Sequence, residues 1–278
     1  MCARYTLTAE EKEILKENTY TLTDEYKPDP NVAITDYGFV VTSDEPDLIQ
    51  RMNFGIIPAD SESRHVDFAT FNIRSEEVMD KPTFAPLMRS RKTCLIIADG
   101  FYEPETVAEN DKRPWRFTIE RKTFCFAGLW EQWADPLTGE IVNTYAIMTC
   151  KGNKTVDEIH KKDRMPVILP KAYEKMWLNK KLSIDELLSL CVPYPDNLMN
   201  RYRVSKKVNA RSTKDKPNKD MSLIDPVEDE PRQQSIFGAD IPPAKKLEDK
   251  PKTWNSEGKK KVKKPKDELK GPDLFGSM

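Results

Sequence analysis

The sequence predicts an α+β fold built mainly from antiparallel β-sheet, and three observations support this prediction. Runs of β-branched and aromatic residues outnumber the segments with a helical pattern. The helical segments do not alternate with the strands, which argues against a βαβ arrangement. The hydrophobic content of 38% can support a core, whereas 33% charged residues and 21 prolines indicate that part of the chain does not fold.

The predicted elements are short. The segment from Thr8 to Glu11 has the pattern of a capping box, a Thr followed by a Glu three positions later, and should open a helix. Two later helices are expected near Ala172–Leu178 and Ser183–Leu190, the second again opening on a capping-box pattern. Six β-rich runs lie between the first helix and these two: Tyr37–Val41, Met52–Ile57, Thr93–Ala98, Trp115–Ile119, Phe124–Leu129 and Tyr145–Thr149.

A change in composition at about residue 205 divides the chain. Residues 1–204 have the pattern of a folded domain, whereas Lys, Pro, Asp and Ser dominate residues 205–278. The second part carries 18 Lys and Arg against 13 Asp and Glu, and the first part carries 27 against 33. Because the second part cannot bury enough apolar surface to offset its ordering entropy, we predict a disordered charged tail. The acidic first part needs a local basic groove for any contact with DNA.

The cysteine content argues against two classes of stabilised fold. The five cysteines are odd in number and have no CxxC spacing. This argues against a disulfide framework and a zinc site, so we expect no metal and no cofactor. The chain has no run of about 18 apolar residues, so no membrane span is expected. A reducing cytoplasm is the natural compartment.

Cys2 is the most informative single position. If Met1 is removed, Cys2 carries a free α-amine and a thiol on neighbouring carbons. Such a 1,2-aminothiol condenses with an aldehyde, first to a Schiff base and then to a five-membered thiazolidine. The α-amine has a reference pKa of about 7.7–8.0 and is partly neutral near pH 7, whereas the thiol, at about 8.5, needs help from its neighbours to ionise. Taken alone, Cys2 proves little, and a chance residue beside the start codon is the favoured interpretation.

Two further residues are candidates for acid–base chemistry. Glu103 follows an apolar strand, an Asp-Gly pair and two aromatic residues, so its carboxyl group could be desolvated and have a raised pKa. The alternative is an ordinary surface glutamate after a turn. The chain has only two histidines. His65 lies in a polar stretch, so any role for an imidazole falls mainly on His160, which ends a short amphipathic segment.

Five ordered blocks of the sequence carry a family resemblance. They are Met1-Cys2-Ala3-Arg4, Asn72-Ile73-Arg74-Ser75-Glu76, Cys94 through Gly100-Phe101-Tyr102-Glu103, Phe126-Ala127-Gly128-Leu129-Trp130, and Ile159-His160 through Arg164-Met165-Pro166. Together they resemble the SOS response-associated peptidase (SRAP) family of abasic-site-processing proteins. The resemblance extends from Cys2 to about Leu169. It implies an SRAP fold with a mostly antiparallel, barrel-like core and flanking helices.

The resemblance also implies a function in the response to DNA damage. Family members act on abasic sites in single-stranded DNA, where the N-terminal cysteine captures the ring-opened sugar as a thiazolidine crosslink. They remove Met1 by self-processing, hence the name peptidase, and their crosslinking chemistry is lyase-like. By this resemblance we expect a bacterial cytoplasmic monomer that is associated with the nucleoid when bound to DNA.

Four positions match the family's active-site residues. By this resemblance Cys2 is the nucleophile, and Glu103 is the acid–base carboxyl group. His160 takes part in sugar ring opening and proton transfer, and Asn72 orients the Cys2 end of the chain through hydrogen bonds. Pro104 follows Glu103 where the family usually has Trp, which changes the local wall of the site.

Four positions match residues expected to contact DNA. Arg4, Arg74 and Arg164 match arginines of the family motifs, and a guanidinium group suits bidentate contact with phosphates. Phe54, in Phe54-Gly55-Ile56-Ile57-Pro58, stands where the family usually has Trp. It either stacks on an unpaired base or is simply a core residue. Because phosphates would be the main contacts, binding should depend strongly on salt and weakly on sequence.

Other functions stay open on the sequence alone. In the tail, Gln233–Phe237 resembles the pentapeptide that binds the bacterial sliding clamp, and Leu274–Phe275 resembles its second half, so the clamp is a candidate partner. Chance apolar islands are the alternative. The chain could instead be a peptidase or amidohydrolase that uses Cys2 with His160, or a non-catalytic DNA or clamp adaptor.

Overall fold

The computed structural model of the chain describes residues 2–17, 20–66, 68–109, 111–210, 212–213 and 216–227. These residues form two β-sheets with short helices around them. The predicted clamp-binding segments, Gln233–Phe237 and Leu274–Phe275, lie outside the described residues. None of the helices in the described ranges has the length and apolar composition needed to cross a bilayer.

The first sheet is antiparallel throughout and contains the N-terminal strand. In spatial order its five strands are β14 (Met199–Arg203), β9 (Asp111–Ile119), β8 (Gly100–Ala108), β1 (Arg4–Leu7) and β3 (Asp29–Ala33). β1 therefore lies between β8 and β3, with Tyr5 opposite Phe101 on one side and Val32 on the other. β3 forms an edge of this sheet among the described strands.

The second sheet closes on itself. Its main path is β12 (Met165–Pro166), β11 (Ile141–Cys150), β10 (Phe124–Ala134), β7 (Thr93–Ala98), β4 (Tyr37–Thr42), β5 (Leu48–Phe54) and β2 (Thr21–Leu22), with β6 (Asn72–Arg74) beside β11 and β13 (Ile168–Leu169) beside β10. β5 also pairs in parallel with β11, where Thr144 is opposite Asn53. This pairing closes five strands into a ring. The α+β class and the barrel-like core are therefore confirmed.

The helices are short and lie around the sheets. They are α1 (Glu11–Glu17), α2 (Ala85–Arg89), α3 (Lys154–His160), α4 (Lys171–Trp177) and α5 (Ile184–Leu188), together with 3₁₀ helices at Ser75–Asp80, Asp196–Leu198, Lys206–Asn209 and Met221–Ile224. The capping box at Ser183 is confirmed. The one predicted at Thr8 is wrong, because the Thr8 hydroxyl donates to Asp99 Oδ2 at 2.7 Å and α1 begins three residues later. A long-range carboxylate thus outcompetes the local cap.

Aromatic side chains join the two sheets. The Tyr5 ring of β1 contacts Phe54 and Phe126 edge-on, with centroids 5.8 and 5.9 Å apart. Its hydroxyl lies 2.6 Å from the hydroxyl of Tyr145. Phe54 in turn stacks on Tyr145, with centroids 5.2 Å apart. The inner face of β1 is therefore fixed against the closed ring by packing as well as by its two ladders.

The folded region continues past residue 204, where composition predicts that it ends. Val208 and Leu223 are buried, and they pack with Val204 and Tyr102. Val204 also forms a bridge with Pro226. The described fold therefore runs to residue 227 and not to 204. The average composition of residues 205–278 does not predict these contacts, because each contact is made by a single apolar residue within a charged stretch.

Candidate active site

Glu103 lies in the middle of β8, on the face of the first sheet that packs against α3. Phe101 points to the same face, and its ring stacks on Phe117 with centroids 5.1 Å apart. The Glu103 side chain is only 1% exposed. This excludes the alternative of a surface glutamate after a turn. Burial disfavours the ionised form and raises the pKa of Glu103 to about 7.

His160 is brought to Glu103 by helix α3. The helix begins after Asn153, whose side chain accepts the N–H of Val156, and it ends at Lys161, which has a left-handed φ of 51°. His160 is the last helical residue, and its Nε2 lies 3.3 Å from Glu103 Oε2. Burial lowers the pKa of His160 to about 4, so the imidazole is neutral at pH 7.

Cys2 lies two residues before β1, close enough to Glu103 for the two groups to interact electrostatically. The Asn72 side-chain amide donates to the Cys2 carbonyl oxygen at 2.8 Å, and Cys2 Sγ donates to the Arg4 carbonyl oxygen at 3.4 Å. The Cys2 side chain is fully buried. Burial first, and then the negative charge of Glu103, raise the pKa of the Cys2 thiol above its ordinary value. The neighbours therefore keep the thiol protonated and do not give the help that its ionisation would need.

Two of the three arginines expected to contact DNA lie beside this group. Arg74 follows Asn72 on β6, is about half exposed, and its Nη1 donates to Glu77 Oε1 at 2.8 Å. Arg164 Nη2 donates to the Thr149 hydroxyl at 2.8 Å, and its Nη1 pairs with Glu76. Because Thr149 is opposite Arg74 in the β6–β11 ladder, both guanidinium groups lie near the same strand end. The sequence motifs gave Thr149 no role.

The structure separates Arg4 and Phe54 from this group. Arg4 lies on the face of the first sheet that carries Tyr102, which is opposite to that of Glu103, and its Nη1 donates to Asn31 Oδ1 at 3.1 Å. The Phe54 side chain is 1% exposed and covered by Tyr145. Of the two interpretations that the sequence left open for Phe54, its burial supports the core residue.

A second buried carboxylate, Asp99, lies just before β8. It accepts hydrogen bonds from the Thr6 hydroxyl at 2.5 Å and from the backbone N–H of Ala9 at 2.9 Å. Arg116 Nη2 donates to it at 2.9 Å. The next residue must be small, because a Cβ atom at Gly100 would lie 2.7 Å from Arg116 Nε. The Asp-Gly pair of the motif is therefore an anchor for the start of β1 and not a tight turn.

Glu103, His160 and Cys2 together are suited to general acid–base catalysis on a small electrophilic substrate. A carboxyl group with a pKa near 7 can both donate and accept a proton at neutral pH. A neutral imidazole and a protonated thiol lie beside it. Among the described residues, no group of three or more His, Cys, Asp or Glu side chains is arranged to hold a metal ion.

Comparison with known proteins gives a consistent match. The family model of the SOS response associated peptidase (SRAP) matches residues 1–211. The chain is 35% identical over 216 residues to abasic site processing protein YoqW of Bacillus subtilis strain 168, covering 76% of this chain and 95% of that protein. It is 28% identical over 145 residues to abasic site processing protein HMCES of Xenopus tropicalis, covering 44% and 42% of the two chains.

Solved structures share the fold. A crystal structure of a protein from Bacteroides thetaiotaomicron superposes with a TM-score of 0.71 at 22% identity, over 82% of this chain and all of that one. A crystal structure of a protein from Bordetella bronchiseptica gives a TM-score of 0.65 at 22% identity, over 73% and 100%. With the family model matching three quarters of its length, the chain belongs to the SRAP family.

Proposed function

We propose that this protein processes abasic sites in single-stranded DNA by forming a covalent thiazolidine between Cys2 and the ring-opened sugar. The observation that carries the proposal is the buried Glu103 carboxyl group, which has a pKa of about 7, lies 3.3 Å from His160 and is close enough to Cys2 for its charge to raise the pKa of the thiol. The names of the relatives, abasic site processing proteins, supply the substrate class.

The first step is removal of Met1. Hydrolysis of the Met1–Cys2 peptide bond releases methionine and leaves a free α-amine on Cys2. The hydrogen bond from Asn72 to the Cys2 carbonyl holds the new terminus next to Glu103. Because Cys2 is buried, we propose that the opened sugar reacts inside the site formed by these residues and not on the outer surface of the protein.

The α-amine then attacks the aldehyde carbon of the opened sugar. Neutral His160 accepts the hydroxyl proton of the closed sugar and returns it to the ring oxygen as the C–O bond breaks, which frees the aldehyde. The amine adds to give a carbinolamine, and protonated Glu103 donates a proton to its hydroxyl group, which leaves as water. A C=N bond results, and Glu103 is now ionised. General acid catalysis of this kind typically contributes about 10²–10⁴-fold to a rate.

The thiol closes the ring. Cys2 Sγ adds to the carbon of the protonated C=N bond and forms the C–S bond, while the thiol proton passes to ionised Glu103 and restores the acid; the nitrogen becomes the neutral ring amine. One aldehyde and one aminothiol thus yield one thiazolidine and one water, with no change in oxidation state. Because the pKa of the thiol is raised, the amine is the first nucleophile and the sulfur the second.

Arg74 and Arg164 are proposed to hold the phosphates that flank the abasic site. Both are ion-paired at their guanidinium groups, with Glu77 and Glu76 respectively. A DNA phosphate can replace either carboxylate as the bidentate partner. Contacts of this kind position the strand without reading its sequence.

The cysteine hydrolase alternative has less support. Such enzymes use a thiolate activated by a neighbouring imidazole. Here His160 Nε2 lies next to Glu103, Cys2 Sγ donates to a backbone carbonyl, and the pKa of the thiol is raised. These surroundings oppose formation of a thiolate.

The test is a crosslinking assay. Purified protein is mixed with single-stranded DNA carrying one abasic site, and adducts are resolved on a denaturing gel. We expect an adduct with wild type and none with Cys2→Ala, whereas Cys191→Ala, a control at another cysteine, should behave as wild type. Cys2→Ala and Cys2→Ser both keep the α-amine, so with either variant we expect at most a Schiff base that appears on the gel only after borohydride reduction. The proposal fails if wild type forms no adduct or if Cys2→Ala forms the same one.

The intact mass of the purified protein tests the first step. We expect the loss of one methionine from wild type. Protein that retains Met1 should form no adduct, because its Cys2 nitrogen is an amide. An adduct formed by protein that retains Met1 would overturn the proposed aminothiol chemistry.

A further inference from the structure

We propose that the described residues between 204 and 227, called the strap below, are a positioning element that fixes the N-terminal strand and thereby Cys2. The strap packs on the face of the first sheet opposite to Glu103. The part of this inference that concerns strand β1 stands on the contacts alone. The part that concerns reaction rate rests on the proposed function.

The strap is held to the sheet by apolar packing. Val208 is fully buried and Leu223 is 2% exposed, and both pack against Tyr102. The Tyr102 hydroxyl donates across the sheet to the Pro30 carbonyl at 2.8 Å. Since Tyr102 directly precedes Glu103, the strap covers the back of the strand that carries the proposed acid.

Lys219 of the strap holds both ends of edge strand β3. Its Nζ donates to Asp29 Oδ2 at 2.6 Å, to the Asn31 carbonyl at 2.6 Å and to Asp36 Oδ2 at 2.7 Å. The same two carboxylates accept backbone N–H groups of β3, from Asn31 at 2.8 Å and from Ala33 at 2.9 Å. An edge strand has one side without a strand partner, and Lys219 occupies that side.

Asn31 links the strap to Arg4 near the N-terminus by hydrogen bonds to both. It is 1% exposed, and its Nδ2 donates to the Asn218 carbonyl of the strap at 3.1 Å. Its Oδ1 accepts the Nη1 hydrogen of Arg4 at 3.1 Å. The β1–β8 pairs begin at Tyr5 and the β1–β3 pairs at Arg4. Cys2 therefore precedes the paired part of β1, and its position depends on how firmly Arg4 is held.

The strap is inferred from this chain's own contacts. The SRAP family model matches residues 1–211, so Asn218, Lys219 and Leu223 lie beyond the matched part. None of these residues lies on the face of Glu103, so the strap can act on the reaction only through the position of the strand. A displacement of about 1 Å at a reacting group can lower a rate by about 10²-fold.

The test uses full-length variants. Lys219→Met removes the three contacts to β3, and Lys216→Met is the control, since it removes the same charge from an exposed position on the strap. Hydrogen–deuterium exchange is measured for the amides of residues 3–5, with β10 as internal reference. We expect exchange at residues 3–5 to be at least about fivefold faster in Lys219→Met. Lys216→Met should match wild type, and Lys219→Arg should restore most of the protection.

Crosslinking separates positioning from simple stability. At temperatures well below the melting midpoint of each variant, we expect Lys219→Met to lower the first-order adduct rate at saturating DNA by about tenfold. Its Kd for DNA should stay within about twofold of wild type, because no proposed phosphate contact is altered. Unchanged exchange at residues 3–5, or an unchanged rate despite faster exchange, would overturn the inference. If wild type forms no adduct, the proposed function fails and the exchange result alone decides on the strap.

Discussion

Asp99 and Glu103 are buried carboxyl groups only four residues apart, yet their surroundings differ. Asp99 accepts hydrogen bonds from Thr6, Thr8 and Ala9, and it pairs with Arg116. Glu103 lies on β8 among apolar residues beside His160, and burial raises its pKa to about 7. The comparison separates an anchor from a reactive group.

The surroundings of Asp99 suit a structural role, whereas those of Glu103 suit proton transfer. Donors and a guanidinium group around Asp99 satisfy both of its carboxyl oxygens, which ties the start of β1 to β8 and β9. Glu103 is desolvated, so its two protonation states have similar free energies near pH 7. The first arrangement contributes stability, and the second contributes reactivity at a cost in stability that grows as the pH rises from about 4.5 to 7.

Replacing Glu103 should have the largest effect on reactivity. Glu103→Gln keeps the size of the side chain but cannot transfer a proton, so we expect the adduct rate to fall by about 10²-fold or more. The rate is measured by quenched-flow or manual sampling on denaturing gels, with protein whose mass shows that Met1 is lost. Glu105→Gln, two residues along the same strand and partly exposed, is the control and should react as wild type. A Glu103→Gln rate within about threefold of wild type would contradict the role of this carboxyl group as the acid.

Replacing Asp99 should have the largest effect on stability. Asp99→Asn leaves the buried Arg116 guanidinium without its charge partner, and we expect the free energy of unfolding to fall by about 3–5 kcal/mol. Asp44→Asn is the control, because the Asp44–Lys180 pair is about half exposed and should contribute less than about 1 kcal/mol. Urea unfolding followed by tryptophan fluorescence measures both. Equal effects of the two substitutions would show that Asp99 is not an anchor.

The contrast also shows how far the sequence can predict this site. Local pattern predicts strand β7 with the observed bounds, Thr93–Ala98, and the segment that ends in His160. The approach of His160 to Glu103 follows only from the family resemblance, since no local rule brings together groups 57 positions apart in the chain. The neutral Cys2 thiol is set by burial, which is a property of the whole fold.

Three particular residues show why the rest could not be predicted. Thr8 has the pattern of a helix cap, but its hydroxyl binds Asp99, which is 91 positions away. Phe54 has the same apolar ring whether it stacks on Tyr145 or on a base, and only its tertiary neighbours decide. Val208 stands alone in a charged stretch, where average composition predicts disorder although one well-placed side chain suffices for packing.

The stability cost of Glu103 should be visible as a pH dependence. Its folded pKa of about 7 exceeds the ordinary value of 4.5, so between these values the folded state holds a proton that the unfolded state has lost. Stability from this group therefore falls as the pH rises from about 4.5 to 7. His160, with a pKa lowered to about 4, acts in the opposite sense, but it is present in both proteins under comparison.

We therefore expect Glu103→Gln to be more stable than wild type above pH 7, by roughly 1–3 kcal/mol. The difference should shrink towards pH 4.5, where both side chains are neutral in the folded state. Urea unfolding at pH 5, 6, 7 and 8 measures it, with Glu105→Gln as a variant that should show no such trend. A Glu103→Gln protein that is less stable than wild type at pH 8 would contradict the desolvation of this carboxyl group.

The smallest effect compares two arginines, Arg74 on β6 beside the site and Arg4 on the strap side of the first sheet. Arg74 lies about half exposed beside Asn72, whereas Arg4 faces Asn31 on the side of the strap. Each phosphate contact to single-stranded DNA contributes about 0.7 to the slope of log K against log salt. We expect Arg74→Gln to lower this slope by about that amount and Arg4→Gln to leave it unchanged, although Arg4→Gln should still slow adduct formation through Cys2. Fluorescence anisotropy between about 50 and 200 mM salt measures the slopes. If Arg4→Gln lowers the slope as much as Arg74→Gln, Arg4 contacts phosphate after all. The face of the first sheet that carries the strap would then bind DNA as well as hold strand β1.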